Sequence, residues 1–404
     1  MNRVYEFLIA LAIVLVLFVL VGLVLPSSRN LEHTIETNRR MTIVYDTVNN
    51  VRRLRDWNQL IPNAMQGLSY SDDTTGVGAY VDFNSEDARW GSGRWEITES
   101  EAPVDGGPAK VSFDITDERP GSGKRSTVQL EPTGRNNRNV RISQTYEVNY
   151  GWNLYSRFQG IYVNSHVGDS VRASLSRLTN ALATVPNFDY RAEGITLANL
   201  GLVELPGENL LVVNAGNIDR NNEVIRASIL ANQEWIKRVM DSNDLEAAGP
   251  VRIITTDFGS EKYAFDVAQP VRKRGTGPAR ANQEGQEEEE VSSASTDADG
   301  ERPPVALPQQ PAASIVLPPA TEPLQQVKVD GTPVEYVRLE PRVAASATYT
   351  GYMAELDVAR SSLRAWAMTQ GHEVVERPYE SWKGGVDPAF TAEGEFDILW
   401  QVKQ

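Results

Sequence analysis

The chain opens on a stretch without any polar alternation. Phe7 to Leu25 is nineteen residues with no charge, which at 1.5 Å rise per residue nearly matches a hydrocarbon layer of roughly 30 Å. A membrane-spanning helix is expected there. A cleaved signal would have a shorter apolar core and a small-x-small site, whereas this run leads into Val24-Leu25-Pro26-Ser27-Ser28, so an uncleaved anchor is the reading. Past the anchor the period shortens. Leu31 to Glu36 alternates as an edge strand, and Met41 to Leu54 places Ile43, Val44, Val48, Val51 and Leu54 at helical spacing, with Trp57 and Pro62 closing that helix. Tyr80–Phe83, Arg94–Thr98, Val111–Ile115, Thr127–Leu130 and Val140–Tyr150 supply strands between turns rich in Gly, Pro and Asn. From Tyr155 to Leu182, the residues Phe158, Val167, Val171, Leu175, Leu178 and Leu182 form one long helical stripe.

This order predicts an α+β fold in which a curved antiparallel sheet wraps around one long helix. The residues carry a resemblance. Leu31-Glu32-His33-Thr34-Ile35 as opening strand, the helix ending at Asp56-Trp57-Asn58, Gly76-Val77-Gly78-Ala79, Gly91-Ser92-Gly93 and Val167-Gly168-Asp169 resemble the START-like, or SRPBCC, superfamily of helix-grip folds, often labelled polyketide cyclase. The chain departs from that pattern at Asn38-Arg39-Arg40 and at Leu60-Ile61-Pro62. The resemblance implies a ligand-holding interior, with Trp57 and Trp95 as candidates to line its mouth; a Trp that closes a helix also serves as a packing plug.

Beyond Pro186–Gly194 the chain repeats itself. Trp235 and Trp366 differ by 131 positions, as do Phe265-Asp266 and Phe396-Asp397, and each copy reads strand, helix, strand, strand. Between the copies, Gly275 to Leu324 holds eight Pro, no aromatic residue and the run Glu287-Glu288-Glu289-Glu290, a composition that cannot offset the entropy of ordering and is expected to be a disordered spacer. The duplicated half resembles the GyrI-like effector-binding domain over roughly residues 200–403 without the loop. Thr350-Gly351-Tyr352 before a helix, Leu363-Arg364-Ala365-Trp366 within it, Arg377-Pro378-Tyr379-Glu380-Ser381-Trp382 and Val386-Asp387-Pro388 carry it. The resemblance implies an aromatic-walled cleft with an acid at its base for cationic or polar small molecules. By position that acid is Glu380, with Tyr379, Trp382, Tyr352 and Tyr263 as aromatic partners.

The predicted organisation is a tail at 1–6, a span at 7–25, a START-like domain at 30–186, and a GyrI-like domain at 195–404 interrupted at 275–324. Composition then narrows the chemistry. With 404 residues and 41% hydrophobic content there is material for two or three domains. The charge of −15 argues against duplex binding, and no helix-turn-helix is apparent, so no nucleic-acid partner is expected. Zero Cys excludes thiolate metal sites, disulfides and thiol nucleophiles, and His33, His166 and His372 show no metal spacing; neither metal nor cofactor is expected. Gly121-Ser122-Gly123-Lys124 fails as a phosphate loop because Arg125 and Glu118 occupy its other key positions.

Arg3 precedes the span while Arg29, Arg39 and Arg40 follow it, which favours a cytoplasmic body. Long domains override that rule, and an anchored chain without Cys suits the envelope, so a bacterial single-pass inner-membrane protein with a periplasmic body is the expectation. A carboxylate among aromatic faces fits a cation pocket, and fits a surface acid on a strand edge too. Three functions stay open: a membrane-anchored, non-catalytic protein with two ligand-binding domains that senses, buffers or presents a hydrophobic or cationic amphipathic molecule, a hydrolase of small electrophiles with Glu380 as general base, and an envelope adaptor whose clefts hold nothing.

Overall fold

The computed structural model describes residues 2–61, 67–85, 91–191, 197–259, 261–276, 315, 317 and 319–403. Pro62 and most of the 275–324 spacer lie outside the described residues. Contacts divide the chain into two compact units, Met1–Gly194 with Arg364–Val374, and Ile195–Leu363 with Val375–Gln404. Both are built on antiparallel sheets, so the chain is α+β.

The first unit begins with α1 (Asn2–Val24), a helix long and apolar enough to cross a membrane. Strand β1 (Ser28–Thr37) follows, then α2 (Met41–Val48) and α3 (Val51–Trp57), where the spacing predicted one helix. The break falls at Asn50, which takes an extended conformation and whose side chain accepts from the Arg52 amide; a side chain that satisfies a free helix N–H starts a new helix instead of continuing the old one. Six strands complete the sheet: β2 (Leu68–Tyr70), β3 (Tyr80–Asn84), β4 (Ser92–Glu101), β5 (Ala109–Asp117), β6 (Ser122–Thr133) and β7 (Asn139–Asn149). Their order is β1-β7-β6-β5-β4-β3-β2. Every strand pairs with its chain neighbour except β1, which closes onto β7 as the edge its alternation predicted. The three-residue β2 is too short to show a period and went unpredicted.

Gly121 lies in the β5–β6 turn and Gly123 at the start of β6, where the register against β7 shifts. Gly121 has φ +100 and an added Cβ would stand 2.3 Å from Val148, so it serves close packing, while Lys124 turns inward onto Asp117 at 2.5 Å. After β7 the long stripe is broken into α4 (Leu154–Gln159), a 3-10 turn (Gly160–Tyr162) and α5 (Val163–Thr184). Gly160 marks the break, and a Cβ there would meet the Tyr150 ring at 2.8 Å. Helix α5 buries Val171, Leu175, Leu178 and Leu182 against the sheet and α3. This is a sheet gripping a long helix, the arrangement the element order predicted.

The second unit comprises β8 (Leu197–Leu205), β9 (Glu208–Asp219), α6 (Asn222–Ser242), β10 (Leu245–Ala247), β11 (Arg252–Phe258), β12 (Lys262–Lys273), β13 (Val334–Leu339), β14 (Arg342–Thr350), the part of α7 (Leu356–Thr369) up to Leu363, β15 (Tyr379–Trp382) and β16 (Glu395–Gln401). Its sheet runs β13-β9-β12-β11-β15-β16-β14-β8, with β10 attached to β12. Two short links constrain its shape. Only Pro206 and Gly207 join β8 to β9, and only Glu340 and Pro341 join β13 to β14, yet the members of each pair stand six strand spacings apart in that order. Six spacings are about 29 Å across a flat sheet, whereas three Cα steps reach at most about 11 Å. The sheet therefore curls until its ends meet at that rim, leaving one face concave.

Candidate functional site

The register of β15 decides how the candidate residues are shared between the two faces. Successive side chains on a strand point to opposite sides. Glu380 and Trp382 therefore share one face with Ile253, Ile398 and Phe396, which lie opposite them on neighbouring strands, while Tyr379 and Ser381 take the other. Leu211, Val213, Phe265 and Val267 belong to the Glu380 face and are buried, whereas Val212 and Ile254 on the opposite face are only half-buried. Helices α6 and α7 cover the Glu380 face: α6 packs on β9 and β12, and Arg360 of α7 reaches Glu380.

On the helix face, Glu380 is wholly enclosed, and Arg360 Nε donates to its Oε1 at 2.5 Å. Glu380 Oε2, Arg360 Nη2 and the Trp382 Nε1 donor have no partner. Tyr263 is also enclosed; its hydroxyl lies 3.0 Å from Thr255 Oγ1, and its ring packs on Phe258 and Phe265. Burial pushes the Tyr263 phenol up to about 12, with Arg360 pulling the other way. Trp382 meets Phe390 and Phe396 edge-on. Phe258 is flanked by two guanidiniums, Arg220 at 3.9 Å and Arg360 at 5.4 Å from its centroid.

The structure thus brings Glu380, Trp382 and Tyr263 together and fills the position of an expected cation with the protein's own Arg360. Tyr352 stands apart and half-exposed before α7. Arg360 escaped sequence reasoning although a signal existed. It falls within the apolar stripe Leu356, Ala359, Leu363, Ala367, and a charge in such a stripe requires a buried counter-charge.

The opposite face holds the concavity, a cavity of about 450 Å³. Leu210 and Val212 of β9, Ile254 of β11, and Val337 and Leu339 of β13 form apolar walls. Tyr379 and Arg252 lie at the closed end, the guanidinium 4.7 Å from the ring centroid. Behind them Glu208, buried at the rim where the sheet ends meet, accepts from Arg252 Nη1 and Nη2 at 2.8 and 2.7 Å and from Arg342 at 2.7 Å. Burial would raise the Glu208 carboxyl, but hydrogen bonds and charge from Arg252 and Arg342 hold it below the ordinary glutamate range. At the open end Asp266 pairs with Arg377 at 2.7 Å, beside Glu335 and Glu376. Asp266 and its counterpart Asp397, which meets Lys383 at 3.0 Å, are buried partners rather than solvent-facing acids.

A depressed folded-state pKa gives Glu208 a pH signature. Its stabilisation is present above the unfolded value of about 4.3 and is lost as pH falls through the lower folded value. Acid titration of thermal stability is expected to fall in that window, and Glu208→Gln to flatten the slope; an unchanged slope would remove Glu208 as its source.

In the first unit, Trp57 and Trp95 are fully enclosed, with Trp95 tilted on Phe113 at 5.8 Å, so both fill the interior of the grip. Their indole nitrogens and Gln144 Oε1 have no partner. Trp235 lies outward on α6, 38% exposed, under Arg238. Among the described residues no group of three or more His, Asp or Glu is placed to hold a metal.

No family model matches the chain, and no curated protein matches it. Solved structures resemble part of it. Norcoclaurine synthase from Thalictrum flavum is 12% identical, covering 41% of this chain and 91% of its own, with a TM-score of 0.29. Aha1 from Colwellia psychrerythraea is 18% identical over 39% of this chain and 97% of its own, with a TM-score of 0.28. A hypothetical protein from Helicobacter pylori is 13% identical over 38% and 86%, with a TM-score of 0.29. The grip fold of the first unit stands on its own strand order, independent of these likenesses.

Proposed function

We propose that the chain is a membrane-tethered binding protein that holds an amphipathic small molecule in the curled concavity of its second unit. One observation carries this reading: a cavity of about 450 Å³ with apolar walls and converging charged groups, inside the range of roughly 300–1,000 Å³ usual for small-molecule sites. The floor combines one carboxylate, Glu208, with two guanidiniums, Arg252 and Arg342. Its excess positive charge favours an acid or acceptor group at the inner end of the ligand, and Glu335 and Glu376 at the mouth favour a cationic group outward.

A GyrI-like relationship of the second unit supports the same reading. The strand order reads the same from either end when β8, β9, β11 and β12 are equated with β13, β14, β15 and β16, as duplication of one strand-strand-helix-strand-strand unit would give, one strand more per copy than the sequence suggests. The helix α1 supplies the tether. The first unit's interior, filled by Trp57, Trp95 and Phe113, suits ordered water or a small polar guest at the unpartnered atoms rather than a bulky ligand.

The test is thermal stability of the full chain in detergent against a panel of amphipathic compounds. A compound that binds the folded state stabilises it by about 2.7 kcal/mol at a hundredfold excess over Kd. Val212→Trp, which fills the cavity from its wall, is expected to abolish that shift. A flat response across the panel would overturn the proposal and leave an anchored adaptor. Turnover of small electrophiles that disappears in Glu380→Gln would instead place the function on the helix face.

A further inference from the structure

The short helix α4 presents a feature that ligand binding does not use. Outside α1, four of the exposed large apolar side chains fall within eleven residues: Trp152 at 83% exposure, Tyr155 at 65%, Ile161 at 49% and Tyr162 at 63%. Between Glu147 and Asp169 the one charged side chain is Arg157, and it is turned away from solvent. Its Nη1 donates to the carbonyls of Gly22, Leu23 and Leu25 at 3.2–3.4 Å, and its Nε to that of Gly151 at 2.8 Å. The guanidinium thus satisfies carbonyls that the end of α1 leaves without helical partners.

The two helices meet below that end. Phe158 stacks on Phe18 with centroids 4.4 Å apart, and a Cβ on Gly22 would stand 3.1 Å from Leu154. Phe18 precedes Val24, the last residue of α1, by six positions, which is about 9 Å along the helix. A segment touching the span at that depth lies level with the boundary between headgroups and acyl chains. Interfacial elements bury their apolar face about 5–10 Å there, and Trp and Tyr concentrate at that level.

We propose that residues 152–162 dock on the lipid surface as an interfacial element, with Trp152, Tyr155, Ile161 and Tyr162 entering the headgroup layer and Arg157 clamping the segment to the end of the span. The inference rests on reading α1 as membrane-spanning. It fixes the first unit against the bilayer at the end of the sheet where β7 gives way to α4.

The absence of native Cys makes single-site labelling direct. Leu15→Cys, Tyr155→Cys, Tyr162→Cys and Val77→Cys would each be made in the full chain, nitroxide-labelled, and reconstituted in phosphatidylcholine–phosphatidylglycerol vesicles. The measurement is spin-label accessibility to oxygen relative to a water-soluble nickel chelate. At 155 and 162 the oxygen-to-nickel ratio is expected to be several-fold higher than at Val77, an exposed turn residue, and lower than at Leu15. Ratios at 155 and 162 equal to that at 77, with Leu15 in lipid, would overturn docking and leave the anchor intact. An aqueous Leu15 label would remove the anchor and the docking together.

Discussion

Glu208→Gln is expected to destabilise the second unit by about 3–5 kcal/mol, because it leaves two largely buried guanidiniums without their counter-charge. Glu208 is 1% exposed; Arg252 and Arg342, at 2% and 11% side-chain exposure, both donate to it. Removing one member of an enclosed network costs far more than the net worth of the pair, since the remaining charges keep their desolvation penalty. Glu208 also clasps the rim where β9 and β14 come together, so its loss is expected to loosen the closed end of the cavity. Thermal or urea unfolding of the full chain in detergent checks this. A change under about 1 kcal/mol, as exposed ion pairs give, would show that the rim network is open to water.

Glu380→Gln carries the second large effect, again about 3–5 kcal/mol, on the opposite face of the same sheet. Arg360 would then be held beside Phe258 and Tyr263 without its paired carboxylate, with only the weaker pull of Asp357 left. The double variant Glu380→Gln/Arg360→Met is expected to recover most of the loss, because replacing a buried pair by an apolar side chain of similar length is often neutral or stabilising. A single variant as stable as the parent would mean that Glu380 keeps an outlet to solvent and is available to a ligand or substrate.

Local pattern made much of this architecture legible. The strands β3 to β7 follow from apolar runs bounded by turn residues, and the α5 stripe announces the helix they grip. What local pattern hid was punctuation: Asn50 and Gly160 each divide a continuous stripe, one by capping and one by close packing. In the second unit a further strand, β8 or β13, stands ahead of each expected strand-helix-strand-strand run, and the curl depends on those two, through β8 pairing with β14 and β13 with β9, partners far apart in sequence. The alternation of a strand already separates Tyr379 from Glu380, so a single pocket lined by both was excluded by period alone. Glu208 and Arg252 left no such trace. Glu208 follows the Pro206-Gly207 turn and Arg252 comes just after Gly249-Pro250, positions where a charge is ordinary, and their meeting is a product of the closed rim.

The central claim is that the concave face of the second unit receives the ligand. Its most direct test is photo-crosslinking of the full chain with a panel hit bearing a diazirine on its apolar body, followed by peptide mapping. The expected adducts fall on Leu210, Val212, Ile254 and Val337 and are suppressed by excess unlabelled compound. Competed adducts confined to α6 and α7, or to the first unit, would contradict the account.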